Sequence, residues 1–303
     1  TGKAPAAIVD LKAAVRYLRY NDKIMPGDAE KIISNGTSAG GALSALLGAS
    51  GNHPDYEPYL KAIGAAKARD DIFAVSAYCP IANLEHADAA YEWQFNGVND
   101  YKKMVMSQMI DWHMERKEVQ GTLTADQIKV SDELKSLFPN YLNSLGLRTA
   151  DGKRLTLDAQ GNGSFKEHVK SYVIASAQKA LDSGTNLSDV SWLTIKNGKV
   201  TDLDFPQYLQ SIMRMKTPPA FDALDLSSGE NDLFGTATVA AKHFTPYSLK
   251  NGTSKGEMAD AMSVKMMNPM AYIGAKEASN AQHWRIRHGT IDRDTSLAIP
   301  VIL

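Results

Sequence analysis

The sequence predicts an α/β fold whose mostly parallel sheet is split by a large insertion. Three observations point to it. The first eighty residues alternate helix and strand patterns, the stretch from about Asn83 to Thr217 changes character, and strand patterns return afterwards. The expected organisation is a first core segment over 1–82, an inserted lid domain over 83–217, and a second core segment over 218–303.

Ile8, Leu11, Val15 and Leu18 recur at helical spacing, so Ala6 to Tyr20 is predicted to be an amphipathic helix. Pro26-Gly27-Asp28 breaks it. A short strand is expected at Lys31 to Ser34, followed by the glycine-rich NGTSAGG and a small-residue helix, ALSALLGAS. Asp70-Asp71 leads into a strand from Ile72 to Tyr78, which Pro80 stops. In the insertion, Trp93, Trp112, Tyr141, Trp192 and Tyr208 punctuate helical stretches such as Ser131 to Phe138 and Phe165 to Leu181. Asn197-Gly198 between WLTIK and KVTDL is a hairpin signal. Further strands are expected at Ala220 to Leu226 and Trp284 to Arg287.

Composition excludes several classes. The chain of 303 residues has 44% apolar content, enough for a full core, and a formal net charge of −1. That balance gives no reason to expect a nucleic acid or an anionic membrane as partner. No apolar run is long enough to span a bilayer. A single cysteine, Cys79, excludes an internal disulfide and leans toward a reducing compartment, although a lost leader would leave secretion open. Both ends read as cut. The chain opens almost directly into a helix and closes on DTSLAIPVIL without a stop signal.

Gly36-Thr37-Ser38-Ala39-Gly40 matches G-x-S-x-G, the nucleophile elbow of α/β-hydrolases. Such a serine stands on a tight turn between strand and helix, with flanking glycines giving the backbone room. The helix beginning at Ala39 points unpaired N–H groups at the site, and the Ala39 N–H is the expected oxyanion donor. A glycine-rich turn without chemistry is the alternative. The preceding strand, following small-residue helix and next strand favour the catalytic assignment of Ser38.

In this fold the acid and then the histidine follow the serine in chain order. HWRIRHGTIDRDTS supplies a strand and turn carrying Asp292 and Asp294. Position favours Asp292 as the triad acid, whereas Asp294 has the alternative of capping a helix after Thr295. All seven histidines precede these acids, and His288 is too close to Asp292 to serve as a separate base. Either the base lies beyond Leu303 or there is no conventional triad. Likewise, only about thirty residues precede the elbow, too few for the usual early strands and the second oxyanion donor. A sheet lacking those strands would expose unpaired edges and be poorly stable alone.

Other signals carry less. No histidine pairs at metal-ligand spacing with another histidine or acid in a recognisable motif, so no metal and no cofactor are expected. Cys79 reads as a small buried residue, and Met258, Met262, Met266, Met267 and Met270 as core packing, with a pliable pocket wall as the alternative.

The segments KAPAAIVDLKAAVRYLRYNDK, NGTSAGGALSALLGASGNHPDYEPYL, AYCPIANLEHAD, SSGENDLFG and HWRIRHGTIDRDTSLAIP closely resemble bacterial tannases (tannin acylhydrolases) over essentially the whole chain. The resemblance implies an α/β-hydrolase with a lid inserted after the strand that follows the nucleophile helix. It also implies Ser38 as nucleophile, Asp292 as triad acid, and Lys216, Glu230 and Asp294 as the charged groups that recognise a galloyl ring, with Ile81 flanking it. The family's catalytic histidine and second oxyanion donor have no counterpart in these residues. Fungal enzymes of similar activity place a cysteine beside the serine; Thr37 and Ala39 stand there here, as in the bacterial type.

The expected function is hydrolysis of galloyl esters of tannins and alkyl gallates through an acyl-enzyme on Ser38, with a small-molecule galloyl ester as the partner. Two alternatives stand beside it: a feruloyl or general carboxylesterase of the same fold, and a non-catalytic fragment that binds phenolic ligands.

Overall fold

The computed structural model describes residues 2–110 and 113–303, so Trp112 lies outside the described residues. In chain order, α1 (Ala6–Tyr20), β1 (Ile33–Thr37), α2 (Ala39–Ala49), α3 (Glu57–Ala62) and β2 (Ala74–Tyr78) come first. Then follow α4 (Leu84–Phe95), β3 (Asp100–Ile110), β4 (His113–Thr122), α5 (Ala125–Ser144), α6 (Ser164–Asp182), β5 (Leu193–Lys196), β6 (Lys199–Leu203) and α7 (Phe205–Ile212). The last are α8 (Gly229–Leu233), α9 (Pro246–Asn251), α10 (Ala261–Lys265), β7 (His283–Arg287) and α11 (Ala298–Ile302). Two compact units emerge: residues 1–87, 221–288 and 303 form the first, and residues 88–220 and 289–302 the second. No helix among the described residues is long and apolar enough to cross a membrane.

The first unit is built on a parallel sheet ordered β1-β2-β7. Central β2 buries Val75 and Ala77, which pack with Ile8 and Val9 of α1, Leu46 and Leu47 of α2, and Met266 and Tyr272. Helix α1 has its predicted bounds, but its buried face follows the apolar stripe only in part, through Ile8 and Val15. Leu11 and Leu18 are each 37% exposed, while Lys12 and Arg16 are buried. The cause is Asp70, itself buried: Lys12 Nζ donates to Asp70 Oδ1 (2.8 Å) and Arg16 Nε to Asp70 Oδ2 (2.8 Å). Burial lowers the Lys12 pKa despite that carboxylate.

Three sequence expectations are corrected. The strand placed at Lys31 to Ser34 begins later, because Asp28 caps a 3₁₀ turn over Ala29–Lys31 and β1 runs from Ile33 into the elbow motif. The Met series is only partly core: Met266 is buried, whereas Met258 and Met262 are exposed. No strand forms at Ala220 to Leu226. There the buried Asp222 takes the place of a ladder partner, accepting from Asn231 Nδ2 (2.7 Å), Phe244 N (3.0 Å), Thr245 N (2.8 Å) and Thr245 Oγ1 (2.7 Å), and pairing with His243 Nδ1 (2.8 Å). A carboxylate with that many partners fixes a loop.

The second unit is helical, with two antiparallel hairpins, β3-β4 and β5-β6. The first hairpin has no counterpart in the sequence expectations. The second turns at Asn197-Gly198 as predicted, both with positive φ (50° and 72°). Thr124 and Gln127 form a capping box that starts α5. The core is aromatic: Trp93 lies 5.3 Å from Phe138, 5.7 Å from Phe165 and 6.2 Å from Phe205, between ring centroids.

Candidate active site

In the first unit, β1 ends at Thr37 and α2 starts at Ala39, leaving Ser38 alone on the turn at φ 59°, ψ −121°. A side-chain-bearing residue in such backbone stores about 1–3 kcal/mol and persists only when its surroundings over-determine it. They do so here. Ser38 N donates to Tyr78 O (2.9 Å), and Ser38 O accepts from Ala42 N (3.0 Å) and Ile81 N (3.3 Å). The Ser38 side chain makes no capping bond to α2 and is half-exposed. The Ala39 N–H opens the helix, where no preceding helical carbonyl can accept it. Ile81 therefore sits directly beside Ser38, tied by its own N–H.

The glycines have unequal roles. A Cβ on Gly36 would lie 2.2 Å from Gly40 O, so this position admits no side chain. A Cβ on Gly40, the second glycine of the motif, would meet nothing within 4 Å. It is Gly41 that brings α2 against the β2 backbone, where a Cβ would lie 2.5 Å from Tyr78 O and 3.2 Å from Gly36 O. Gly41 was missed because it stands one place outside the pattern; the Gly40-Gly41 doublet was the available signal.

Cys79 is half-buried, not fully buried, at φ 44°, with its N–H on Arg287 O (2.7 Å). Glu230, also in this unit, is half-buried in the first turn of α8. Ser228 and Asn231 close a capping box around that turn, and Asn231 is anchored on Asp222. The SGEND segment thus opens a short capped helix.

In the second unit, Lys216 Nζ pairs with Asp294 Oδ1 at 3.2 Å, both side chains partly exposed (21% and 34%). Asp294 does not cap α11; the Ser296 hydroxyl takes the Ala298 N–H instead (3.1 Å). Asp292 Oδ1 accepts from Asp294 N (2.9 Å), which sets the two acids on one turn. Tyr208 donates to Thr290 O at the start of that turn, and burial together with the Asp292 charge raises its phenol pKa.

Sequence reasoning missed the groups that hold this arrangement. The buried Tyr91 hydroxyl accepts from Met215 N (3.1 Å) and Lys216 N (3.0 Å) and donates to Arg293 O (2.9 Å). Burial pushes its pKa up to about 12, so the hydroxyl keeps its proton. Next to it, Glu92 and Arg214 form a fully buried ion pair (2.5 Å), and Arg214 Nε donates to Lys216 O (2.7 Å). Ser38, Ala39 and Ile81 are thus brought together within the first unit, and Lys216, Asp292 and Asp294 within the second.

Comparison with known proteins agrees with this picture. The BD-FAE family model matches residues 1–128. Esterase LipQ of Mycobacterium tuberculosis is 34% identical over 88 residues, 29% of this chain and 20% of its own length. The tannin acyl hydrolase of Lactobacillus plantarum is 53% identical at a TM-score of 0.94, over 100% of this chain and 64% of that protein. The tannase of Fusobacterium nucleatum is 57% identical at a TM-score of 0.93, over 100% of this chain and 66% of that protein. A tannin acyl hydrolase solved in complex with ethyl gallate is 52% identical at a TM-score of 0.92, over 100% of this chain and 63% of its own. The chain therefore spans just under two thirds of the solved structures it matches. Along its whole length it is similar to bacterial tannases, and its fold is that of an α/β-hydrolase.

Proposed function

We propose that this chain carries the nucleophile and the acyl-recognition groups of a serine esterase that hydrolyses galloyl esters. The observation that carries the proposal is Ser38, alone on a strained strand-to-helix turn at φ 59° with a helix N-terminus behind it. Its hydroxyl attacks the ester carbonyl and the alcohol leaves. The Ala39 N–H helps to hold the oxyanion, and water resolves the acyl-enzyme to gallic acid. Asp292 is assigned as the carboxylate that orients the histidine base.

Lys216, Glu230 and Asp294 are assigned to the three adjacent phenolic hydroxyls, with Ile81 flanking the ring. Hydroxyls both donate and accept, so carboxylates and an ammonium satisfy them. An acyl group lacking them would leave these charged groups poorly paired, the situation that produces steep discrimination. A complex of a similar tannin acyl hydrolase with 3,4-dihydroxybenzoate supports a phenolic acyl site. Residues 83–217, most of which fall in the second unit, are assigned as the lid over that site.

The test is Ser38→Ala in the full-length protein with methyl gallate as substrate. Turnover should fall by about 10⁴-fold or more; a near-normal rate would sink the assignment. Parallel rates on gallate, protocatechuate and ferulate esters test the recognition groups, and equal rates on all three would remove them from any role in counting hydroxyls.

A further inference from the structure

A second pocket, of about 400 Å³, lies wholly within the second unit. Its walls come from α4, α5, α6 and α7 and the loop before α6. Among its lining residues there is no carboxylate, but there are two lysines, Lys135 and Lys166, both half-buried. Neither ammonium lies within 4.0 Å of a carboxylate among the described residues. Each instead donates to a neutral amide: Lys135 Nζ to Asn96 Oδ1 (3.1 Å) and Lys166 Nζ to Asn162 Oδ1 (2.9 Å). An ammonium has three donors, so most of this capacity is not met by those bonds.

The acids nearby are engaged elsewhere. Asp158 accepts the Gln160 and Asn162 N–H groups (2.9 and 2.8 Å), Glu167 pairs with Lys170 (3.2 Å), and Asp132 takes Asn96 Nδ2 (2.7 Å). Burial lowers the Lys166 pKa; the Lys170 and Lys135 charges push in the same direction, and the Glu167 and Asp158 charges oppose them.

Gln94, only 2% exposed, forms part of the wall, with Oε1 accepting from Leu297 N (2.7 Å) and Ser296 Oγ (3.1 Å). Trp93, Phe205 and Leu209 supply apolar wall beside the two lysines.

From this combination we propose that the pocket between Lys135 and Lys166 is a binding site for a small organic acid with a carboxylate head and an apolar, aromatic body. Two ammonium groups with unmet donor capacity beside apolar walls are complementary to that chemistry. The gallate released in the proposed reaction belongs to this class, but the site does not depend on that reaction, since none of its residues is assigned to the esterase machinery.

The experiment is calorimetric titration of the full-length protein with benzoate and with acetate, repeated on a Lys135→Gln/Lys166→Gln double variant whose folding is checked by circular dichroism and whose methyl gallate hydrolysis should be unchanged. Benzoate should bind saturably and more tightly than acetate, and the double variant should lose about tenfold or more in affinity, as expected for two charge-assisted hydrogen bonds. No saturable benzoate binding up to about 10 mM would overturn the proposal. So would binding unchanged in the double variant, which would put the site elsewhere. Equal affinity for acetate and benzoate would overturn the aromatic part of the assignment.

Discussion

Replacing Tyr91 by Phe removes one oxygen from the second unit and disconnects two segments that carry proposed site residues. The hydroxyl is the shared partner of the Met215 and Lys216 N–H groups and of the Arg293 carbonyl, at 3.1, 3.0 and 2.9 Å. The ring itself stays, so no cavity of consequence is made. Three backbone groups lose their partner, at about 1 kcal/mol each if the segment relaxes toward solvent, for a total near 3 kcal/mol. Urea denaturation followed by tryptophan fluorescence measures that loss. If the proposed function holds, the second effect is on recognition. Lys216 and Asp294 face each other at 3.2 Å only while the 214–216 segment and the 290–294 turn keep their register. Loosening it should raise KM for methyl gallate by about tenfold while kcat changes little, the pattern expected when ground-state and transition-state binding are lost together. A variant within about 0.5 kcal/mol of the parent and with unchanged KM would refute the reasoning, because it would show that the hydroxyl neither stabilises nor positions these strands.

Two further outcomes follow from the first unit. Gly40→Ala should be tolerated, since a Cβ there meets nothing within 4 Å, whereas Gly41→Ala drives a Cβ to 2.5 Å from the Tyr78 carbonyl and should cost about 2 kcal/mol or more, with loss of esterase activity. Thermal midpoints and methyl gallate rates of the two variants settle it, and equal behaviour would show that the α2–β2 approach is not sterically limited. Burial lowers the His86 pKa to about 4, against about 6.5 in an unfolded chain, so the unfolded state takes up the proton first as pH falls. Stability should therefore be intact above about pH 6.5 and decline by up to about 3 kcal/mol toward pH 4. His86→Gln should flatten that slope in pH-dependent urea melts; an identical slope in parent and variant would exclude His86 as its source.

The elements that were legible in the sequence share a property: their geometry is dictated within a few residues. The Asn197-Gly198 turn needs positive φ at both positions and has the residues for it. The elbow needs a glycine at position 36, and there any side chain would strike Gly40 O. Helix α1 could be bounded from its 3.6-residue period alone. Its buried face could not, because Lys12 and Arg16 turn inward to meet an acid 58 and 54 residues away. Nothing local to α1 announces Asp70. The expected strand at Ala220 to Leu226 failed for a related reason. Its apolar pattern is genuine, but Asp222 gathers donors from residues 231 to 245, and that side chain overrides the ladder the pattern would otherwise favour.

The same distinction separates the two halves of the candidate site. Ser38, Ala39 and Ile81 lie within one strand–turn–helix unit and its neighbouring strand end, and a five-residue motif is enough to find the proposed nucleophile. Lys216, Asp292 and Asp294 carry no such motif. Lys216 precedes a proline pair and would pass for a surface residue on sequence alone. The family resemblance alone makes it a candidate, and what holds it in place is a hydroxyl 125 residues earlier in the chain, which also holds a carbonyl 202 residues beyond itself. Recognition groups of this kind are placed by long-range hydrogen bonds whose partners are backbone atoms, present at every position and therefore silent in any sequence pattern. A nucleophile must be strained locally to work, and that strain leaves a local signature. A specificity residue need only be held still, and almost any buried donor or acceptor can hold it. If the proposed function holds, Lys216 and Asp294 are thus expected to be sensitive to substitutions, such as those at Tyr91, Glu92 and Arg214, that touch no substrate at all.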